Sequence, residues 1–215
     1  MRNAYIMKAE DVKTALLKVC DKILDNEEKL TIADSYIGDG DHGIGMTRGF
    51  KEAKLRLQST FSEDIAIYFD VVGNSLLLKS GGASGAIFGT LFKTIAEHTR
   101  NSKYLSGKLL YFSLQGALDA VMKLGGAVPG DKTMIDALHP ACKNSKPDLV
   151  LIETLKVITD AALEGVEHTK KMVANHGKAK SLGDRAIGYP DPGSITLSFI
   201  FLAMYEYAVE QSAAH

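Results

Sequence analysis

The chain has 215 residues and a mass of 23.2 kDa, with 46% hydrophobic and 24% charged residues and a formal net charge of -1. A chain of this length can form one large domain that buries roughly 70% of its unfolded surface, and its composition excludes the disordered, collagen-like and coiled-coil classes. With 25 Lys+Arg balanced by 26 Asp+Glu and no basic run, it lacks the clustered cations that hold a phosphate backbone, so nucleic acid is not an expected partner.

From the start, Met1 to Ile6 run into Lys8 and Glu10 without an apolar stretch, so no secretion signal is expected. Cys20 and Cys142 are far apart and share no metal spacing, which fits a reduced, cytoplasmic setting. Apolar residues then recur at helical spacing, beginning with Val12, Leu16, Val19, Ile23 and Leu24, and predict a first helix of about 20 residues. Further helices are predicted at Met46 to Leu57, Glu63 to Leu78, Ala83 to Thr99 and Gly107 to Leu124. Three more follow at Met134 to Cys142, Asp148 to Ala174 and Pro192 to Val209. Ser62 is the expected N-cap before Glu63 and Asp64, and Asp191 precedes a first-turn proline. The apolar run Ile195 to Val209 is interrupted by Thr196, Ser198 and Glu206 and is shorter than the ~20 residues that cross a bilayer, so it is read as a buried helix. No linker or repeat divides the eight segments, and residues 1–215 are expected to form one all-α domain.

The loops between these helices concentrate glycine: Gly38, Gly40, Gly43, Gly45 and Gly49; Gly81, Gly82, Gly85 and Gly89; Gly125, Gly126 and Gly130; Gly183, Gly188 and Gly193. Helix C-caps would need about one per loop. The surplus suggests backbone that approaches a ligand closely, and exposed N–H groups in such turns suit phosphate.

The first loop places Asp34, Asp39 and Asp41 within eight residues. At ~5 Å and an effective dielectric near 20, each pair of carboxylates repels by roughly 3 kcal/mol, so a cation should sit among them. Hard oxygens suit Mg²⁺ or Ca²⁺; the alternative is a solvated acidic turn. Gly38 to Gly43 satisfies G-x-G-x-x-G, but no strand–helix–strand unit surrounds it. The stretch from Asp39 fails as a calcium loop because its twelfth position is Phe50. Gly125 to Thr133 resembles a P-loop without the preceding strand. Ser80 to Gly85 sits at a helix start and could cradle phosphate, or could simply pack helices tightly. Pro129 to Met134 offers a cation, a hydroxyl and a thioether suited to an aromatic base, and Arg185 offers a guanidinium. No G-x-S-x-G elbow or Cys–His pair favours covalent catalysis, and of six histidines only His42 lies in a suggestive loop.

Taken in order, Ile37-Gly38-Asp39-Gly40-Asp41-His42-Gly43, Gly81-Gly82-Ala83-Ser84-Gly85, Pro129-Gly130-Asp131-Lys132-Thr133-Met134 and Asp191-Pro192-Gly193 resemble the dihydroxyacetone kinase L subunit family along the whole chain. That resemblance implies a barrel of eight antiparallel helices with the nucleotide site in the loops at one end. It implies that Asp34, Asp39 and Asp41 ligate Mg²⁺, two ions in the family pattern, and that His42, Gly43, Ile44, Gly45, Ala83 and Ser84 contact the nucleotide. Gly125 and Met134 would form the pocket wall, and Arg185, Asp191, Pro192 and Gly193 the last contacts. At Gly45 the close members are expected to carry Asn, so one polar contact would be missing here.

The family includes chains that use ATP as substrate and chains that keep ADP as a cofactor recharged by a phosphohistidine protein, the M subunit of the sugar phosphotransferase system. His42, where ATP-using members tend to have Cys, favours the ADP mode. The implied partners are a dihydroxyacetone-binding K subunit, the M subunit and, as another possibility, a transcriptional regulator. The alternatives kept open are an ATP-using kinase subunit for dihydroxyacetone or another short ketose or polyol, and a nucleotide-binding regulatory module.

Overall fold

The structure is a computed structural model and describes residues 5–213. Residues 1–4, part of the stretch read for a secretion signal, and the C-terminal Ala214 and His215 lie outside it. The described residues form nine α-helices: α1 (Ala9–Leu24), α2 (Glu27–Ile37), α3 (His42–Ser59), α4 (Ile65–Lys79), α5 (Gly82–His98), α6 (Gly107–Gly125), α7 (Ile135–Asn144), α8 (Leu151–Thr169) and α9 (Pro192–Ala213). A 3₁₀ segment, Lys178–Ala186, precedes α9. Two short strands, β1 (Met7–Lys8) and β2 (Tyr104–Leu105), pair antiparallel with Met7 opposite Leu105.

Seven of the eight segments expected from periodicity recur with shifted ends. The eighth, the segment beginning at Asp148, forms only from Leu151 to Thr169, so Asp148 stands before its first turn. At α4 the cap is Asp64, whose carboxylate accepts the Ala66 N–H at 3.0 Å, while the Ser62 hydroxyl accepts the Asp64 N–H. The helix α3 begins four residues earlier than expected, which puts His42 in its first turn. The ninth, α2, was not anticipated: its only buried positions are Leu30, Ala33, Asp34 and Ile37, too sparse an apolar stripe to stand out.

One apolar core runs through the molecule. α1 packs against both α3 and α9, and from α3 to α9 each helix packs on the next in chain order. α2 is added outside this succession, against α3 and α9. The face of α9 is apolar nearly all round, with Phe199, Ile200, Phe201 and Met204 buried, as a helix enclosed by neighbours requires. Among the described residues no helix is long and apolar enough to cross a membrane. The α2–α3, α4–α5, α6–α7 and α8–α9 connections carry the glycine-rich loops to one cleft.

Candidate functional site

Asp34 sits near the end of α2, not in a loop, and the chain turns through Gly38 to Asp41 before α3 begins. One carboxylate oxygen from each of Asp34, Asp39 and Asp41 lies within 4.8 Å of the others; Asp34 is buried and the other two are exposed. The Asp34 carboxylate accepts the His42 N–H at 3.1 Å, which fixes it against the first turn of α3. The expected counter-charge is present as Lys178, whose ammonium donates to Asp39 and, at 3.3 Å, to Asp41. Their hydrogen bond is the main cause that holds the Asp39 carboxyl below its ordinary range and Lys178 above its own. The donor set fits Mg²⁺: all ligands are hard oxygens, and an octahedral ion with bonds of about 2.1 Å needs adjacent oxygens about 3 Å apart, within reach of these side chains.

Beside the acids, the His42 ring is wedged between two hydroxyls. Thr196 Oγ1 lies 3.1 Å from the Pro192 carbonyl, the helical back-bond that takes up its one proton, and 2.8 Å from His42 Nε2, where with that proton committed it accepts. His42 therefore carries its proton on Nε2, and Nδ1 accepts from the Ser84 hydroxyl at 3.0 Å. Burial pushes the ring down to about 4, which keeps it neutral near pH 7. His42 is thus a neutral spacer that orients Ser84.

Ser84 belongs to the first turn of α5. Ahead of it, separated by Ala83, Gly81 (φ 73°) and Gly82 (φ 59°) adopt left-handed backbone that favours glycine, and no atom lies within 4 Å of a Cβ built at Gly82. The first N–H groups of α5 have no intrahelical acceptor, and they lie at the positive end of the helix dipole on an open face. The exposed Arg48, on α3, lines the same cleft and donates to the Ser80 carbonyl at 3.1 Å. Gly45 is needed for packing: a Cβ there would stand 2.9 Å from the Ser80 carbonyl oxygen, so the Asn expected from the resemblance would require that turn to shift.

The rest of the lining includes an apolar group, Ile87, Phe88, Val121, Gly125, Met134 and Ile135. Asp136 shapes the loop before α7 by accepting the N–H groups of Gly130 at 2.6 Å and Thr133 at 2.8 Å. Asp191 caps α9 by accepting the Ser194 N–H at 2.6 Å, and burial raises its carboxyl to about 7. The Ser194 hydroxyl donates to the Thr133 carbonyl and ties the two loops together. Lys132, read from the sequence as a cation offered to a ligand, is instead turned inward: it is 1% exposed and its ammonium donates to backbone carbonyls.

Of the residues singled out from the sequence, Asp34, Asp39, Asp41, His42, Gly45, Ala83, Ser84, Gly125, Met134, Asp191, Pro192 and Gly193 line one cleft of about 360 Å³. Three do not line it. Gly43 packs α3 on α2, where a Cβ would come 2.5 Å from the Glu27 carbonyl oxygen; Ile44 is exposed; Arg185 is exposed on the 3₁₀ segment. The sequence reading missed Arg48, Lys178 and His176, all of which line the cleft. Arg48 would have been legible only had α3 been started at His42, since it lies one turn beyond Gly45 on the same face.

An acidic cluster, an open helix N-terminus and an apolar slot on one cleft are the parts of a phosphotransferase site, and the sequence matches the DAK2 domain over residues 36–206. The chain belongs to this family of dihydroxyacetone kinase subunits, phosphotransferases with an alcohol group as acceptor. It is 36% identical to the PEP-dependent dihydroxyacetone kinase ADP-binding subunit DhaL of Escherichia coli, over 84% of this chain and 89% of that one. It is 41% identical to the ADP-binding subunit DhaL of a second such kinase, from Listeria innocua, over 77% and 79%. Dihydroxyacetone kinase from C. freundii, solved in complex with AMP-PNP and Mg²⁺, superposes with a TM-score of 0.71 at 26% identity, covering 96% of this chain and 36% of that one.

Proposed function

We propose that this chain is the nucleotide-binding subunit of a dihydroxyacetone kinase, in which the cleft holds a Mg²⁺-bound nucleotide and delivers a phosphoryl group to dihydroxyacetone on a separate K subunit. The observation that carries this reading is the convergence of Asp34, Asp39 and Asp41 with the free N-terminus of α5 on a single cleft. In this reading the three carboxylates hold the cation, two ions in the family pattern, which when bound neutralises phosphate charge and polarises the transferring group. The amides of Gly82, Ala83 and Ser84 take the terminal phosphate, with Ser84 held in place by His42. Gly43 and Ile44 support that turn from outside the cleft. Gly125 and Met134 form the slot for the base, and Asp191, Pro192 and Gly193 close the sugar side. Arg48 stands at the rim as a further phosphate contact, and Arg185 approaches through a movement of its segment. The order of helix neighbours, with α1 touching both α3 and α9, supports a closed eight-helix barrel to which α2 is added.

The preferred cycle retains ADP as a cofactor recharged by a phosphohistidine M subunit in the cytoplasm. It is supported by near full-length similarity to relatives named PEP-dependent ADP-binding subunits. A second reading, an ATP-using kinase subunit for a short ketose, is favoured by 30% identity to D-erythrulose kinase of Mycolicibacterium smegmatis, of which the chain covers 33%. The test is reconstitution with K and phosphorylated M subunits. Transfer to dihydroxyacetone is expected without free ATP, and Asp39→Ala is expected to abolish it. Undiminished transfer by Asp39→Ala would overturn the proposal, while an absolute need for free ATP would establish the second reading.

A further inference from the structure

Between α8 and α9, residues 170–190 run out and back as a strap with no α-helix of its own, and His176, Gly177, Lys178 and Ala179 from it form one wall of the cleft. Its apolar anchorage is slight: Ala174 and Ala186 are the strap's buried members of a small cluster with Ile37. On the outside, Tyr189 stacks on Tyr36 of α2 with ring centroids 4.5 Å apart, and Lys178 reaches Asp39 and Asp41. One backbone bond ties it to the loop before α7, Asn175 N–H to Asp131, and another, Gly188 N–H to Lys170, closes its two ends on each other.

The main polar anchor is a single nitrogen. Lys132 Nζ donates to the carbonyls of Thr169 at 2.6 Å, Tyr189 at 2.7 Å and Ala186 at 2.8 Å, with Met172 at 3.3 Å sharing. Two of these oxygens lie where α8 gives way to the strap and two at the strap's far end, so the ammonium draws both ends together. Three N–H donors meet three short acceptors, which is full satisfaction for a buried ammonium. Lys132 also adopts a left-handed backbone conformation (φ 61°), a strain that a non-glycine residue sustains only where its surroundings impose it.

We propose that Lys132 is a positioning residue for nucleotide retention: its caged ammonium holds the strap against the cleft and so sets the rate at which nucleotide leaves. This rests on the reading that the cleft binds nucleotide. Opening the strap strips the ammonium from its carbonyls, so nucleotide held behind it departs only as fast as the cage breaks. Four backbone oxygens around one small cation also form a cage in which K⁺ or a small ammonium ion can replace the side chain once it is removed.

The probe is a fluorescent ADP analogue with Mg²⁺, chased by excess ADP, in the wild type, Lys132→Met and Lys132→Ala, alongside amide hydrogen exchange. Both variants are expected to release the probe about tenfold faster or more, the equivalent of one lost charge-assisted hydrogen bond, with association little changed. In the variants the strap amides are expected to lose protection while those of α4 and α5 keep it. Methylammonium or K⁺, but not Li⁺, is expected to slow release from Lys132→Ala. Variants that fold and release at the wild-type rate would overturn the proposal. So would wild-type amides of Ile187 and Gly188 that exchange as fast as free chain, a result that needs no variant. A wild type that binds no probe would instead remove the nucleotide reading, and loss of strap protection in the variants would still show the cage.

Discussion

The two walls of the cleft are built on opposite principles. On one side α3, α4 and α5 press together through glycines, and the functional groups ride on helix ends whose positions the packing fixes. On the other, a strap without an α-helix contributes few buried side chains and is held through main-chain oxygens gathered by Lys132. A wall of the first kind can change only by a clash or a cavity, and one of the second kind can open as a unit. The difference assigns geometry to the helices and exchange of ligand to the strap.

The largest effect is expected where α3, the first helix of the rigid wall, rests on α2. Gly43→Ala places a methyl group 2.5 Å from the Glu27 carbonyl and 2.6 Å from the Thr31 nitrogen, backbone atoms that cannot turn aside. It should cost about 3 kcal/mol, the upper range for overpacking, read from urea unfolding, and an unchanged midpoint would show that α2 is not clasped by α3 as described.

A smaller loss, about 1 kcal/mol, is expected for Thr196→Val, which removes the acceptor of His42 Nε2 while keeping the shape. Nitrogen chemical shifts of His42 should then report a changed tautomer, and retention of the Nε2–H form would contradict the network.

Between the walls, Asp191 gives a pH dependence of known sign. Its folded carboxyl lies at about 7 against 3.8 unfolded, so the native state binds the proton more tightly and stability falls as pH rises from about 4 to 7. His42 acts in reverse, with a folded value of about 4 against 6.5, so its contribution grows from pH 4 to 6.5. Asp191→Asn keeps an oxygen for the Ser194 N–H and should remove only the falling component, seen as a rise in relative stability at pH 8 over pH 5. Identical pH curves for the variant and the wild type would remove the assignment.

The smallest stability effect belongs to the strap's outer contact. Lys178→Ala is expected to leave the thermal midpoint unchanged, because an exposed ion pair adds little. The same change should tighten Mn²⁺ binding in calorimetry, since the ammonium no longer competes for Asp39 and Asp41.

This contrast also governs what is legible in the sequence. Residues of the rigid wall and the loops joined to it, from Asp39 to Ser84 and at Asp191 to Gly193, announce themselves through glycines at helix starts, and twelve of the fifteen named positions meet on one cleft. Asp34 was placed in a loop because α2 has too few apolar positions to mark a helix. The strap was opaque for a different reason. Lys132 bonds to carbonyls, which every residue possesses, so no residue pattern signals its partners, and in a glycine-rich loop a lysine reads as a ligand contact. Lys178 meets Asp39 across 139 positions of sequence, beyond any local spacing.

The central claim is that the acids and the α5 N-terminus hold one Mg²⁺-bound nucleotide together. Native mass spectrometry of the purified, desalted chain tests it most directly, with extraction and identification of whatever is retained. The expected result is ADP retained with Mg²⁺, about two ions under the proposed reading, and lost from Asp39→Ala. A bare chain that takes up neither ADP nor ATP when Mg²⁺ is supplied would contradict it.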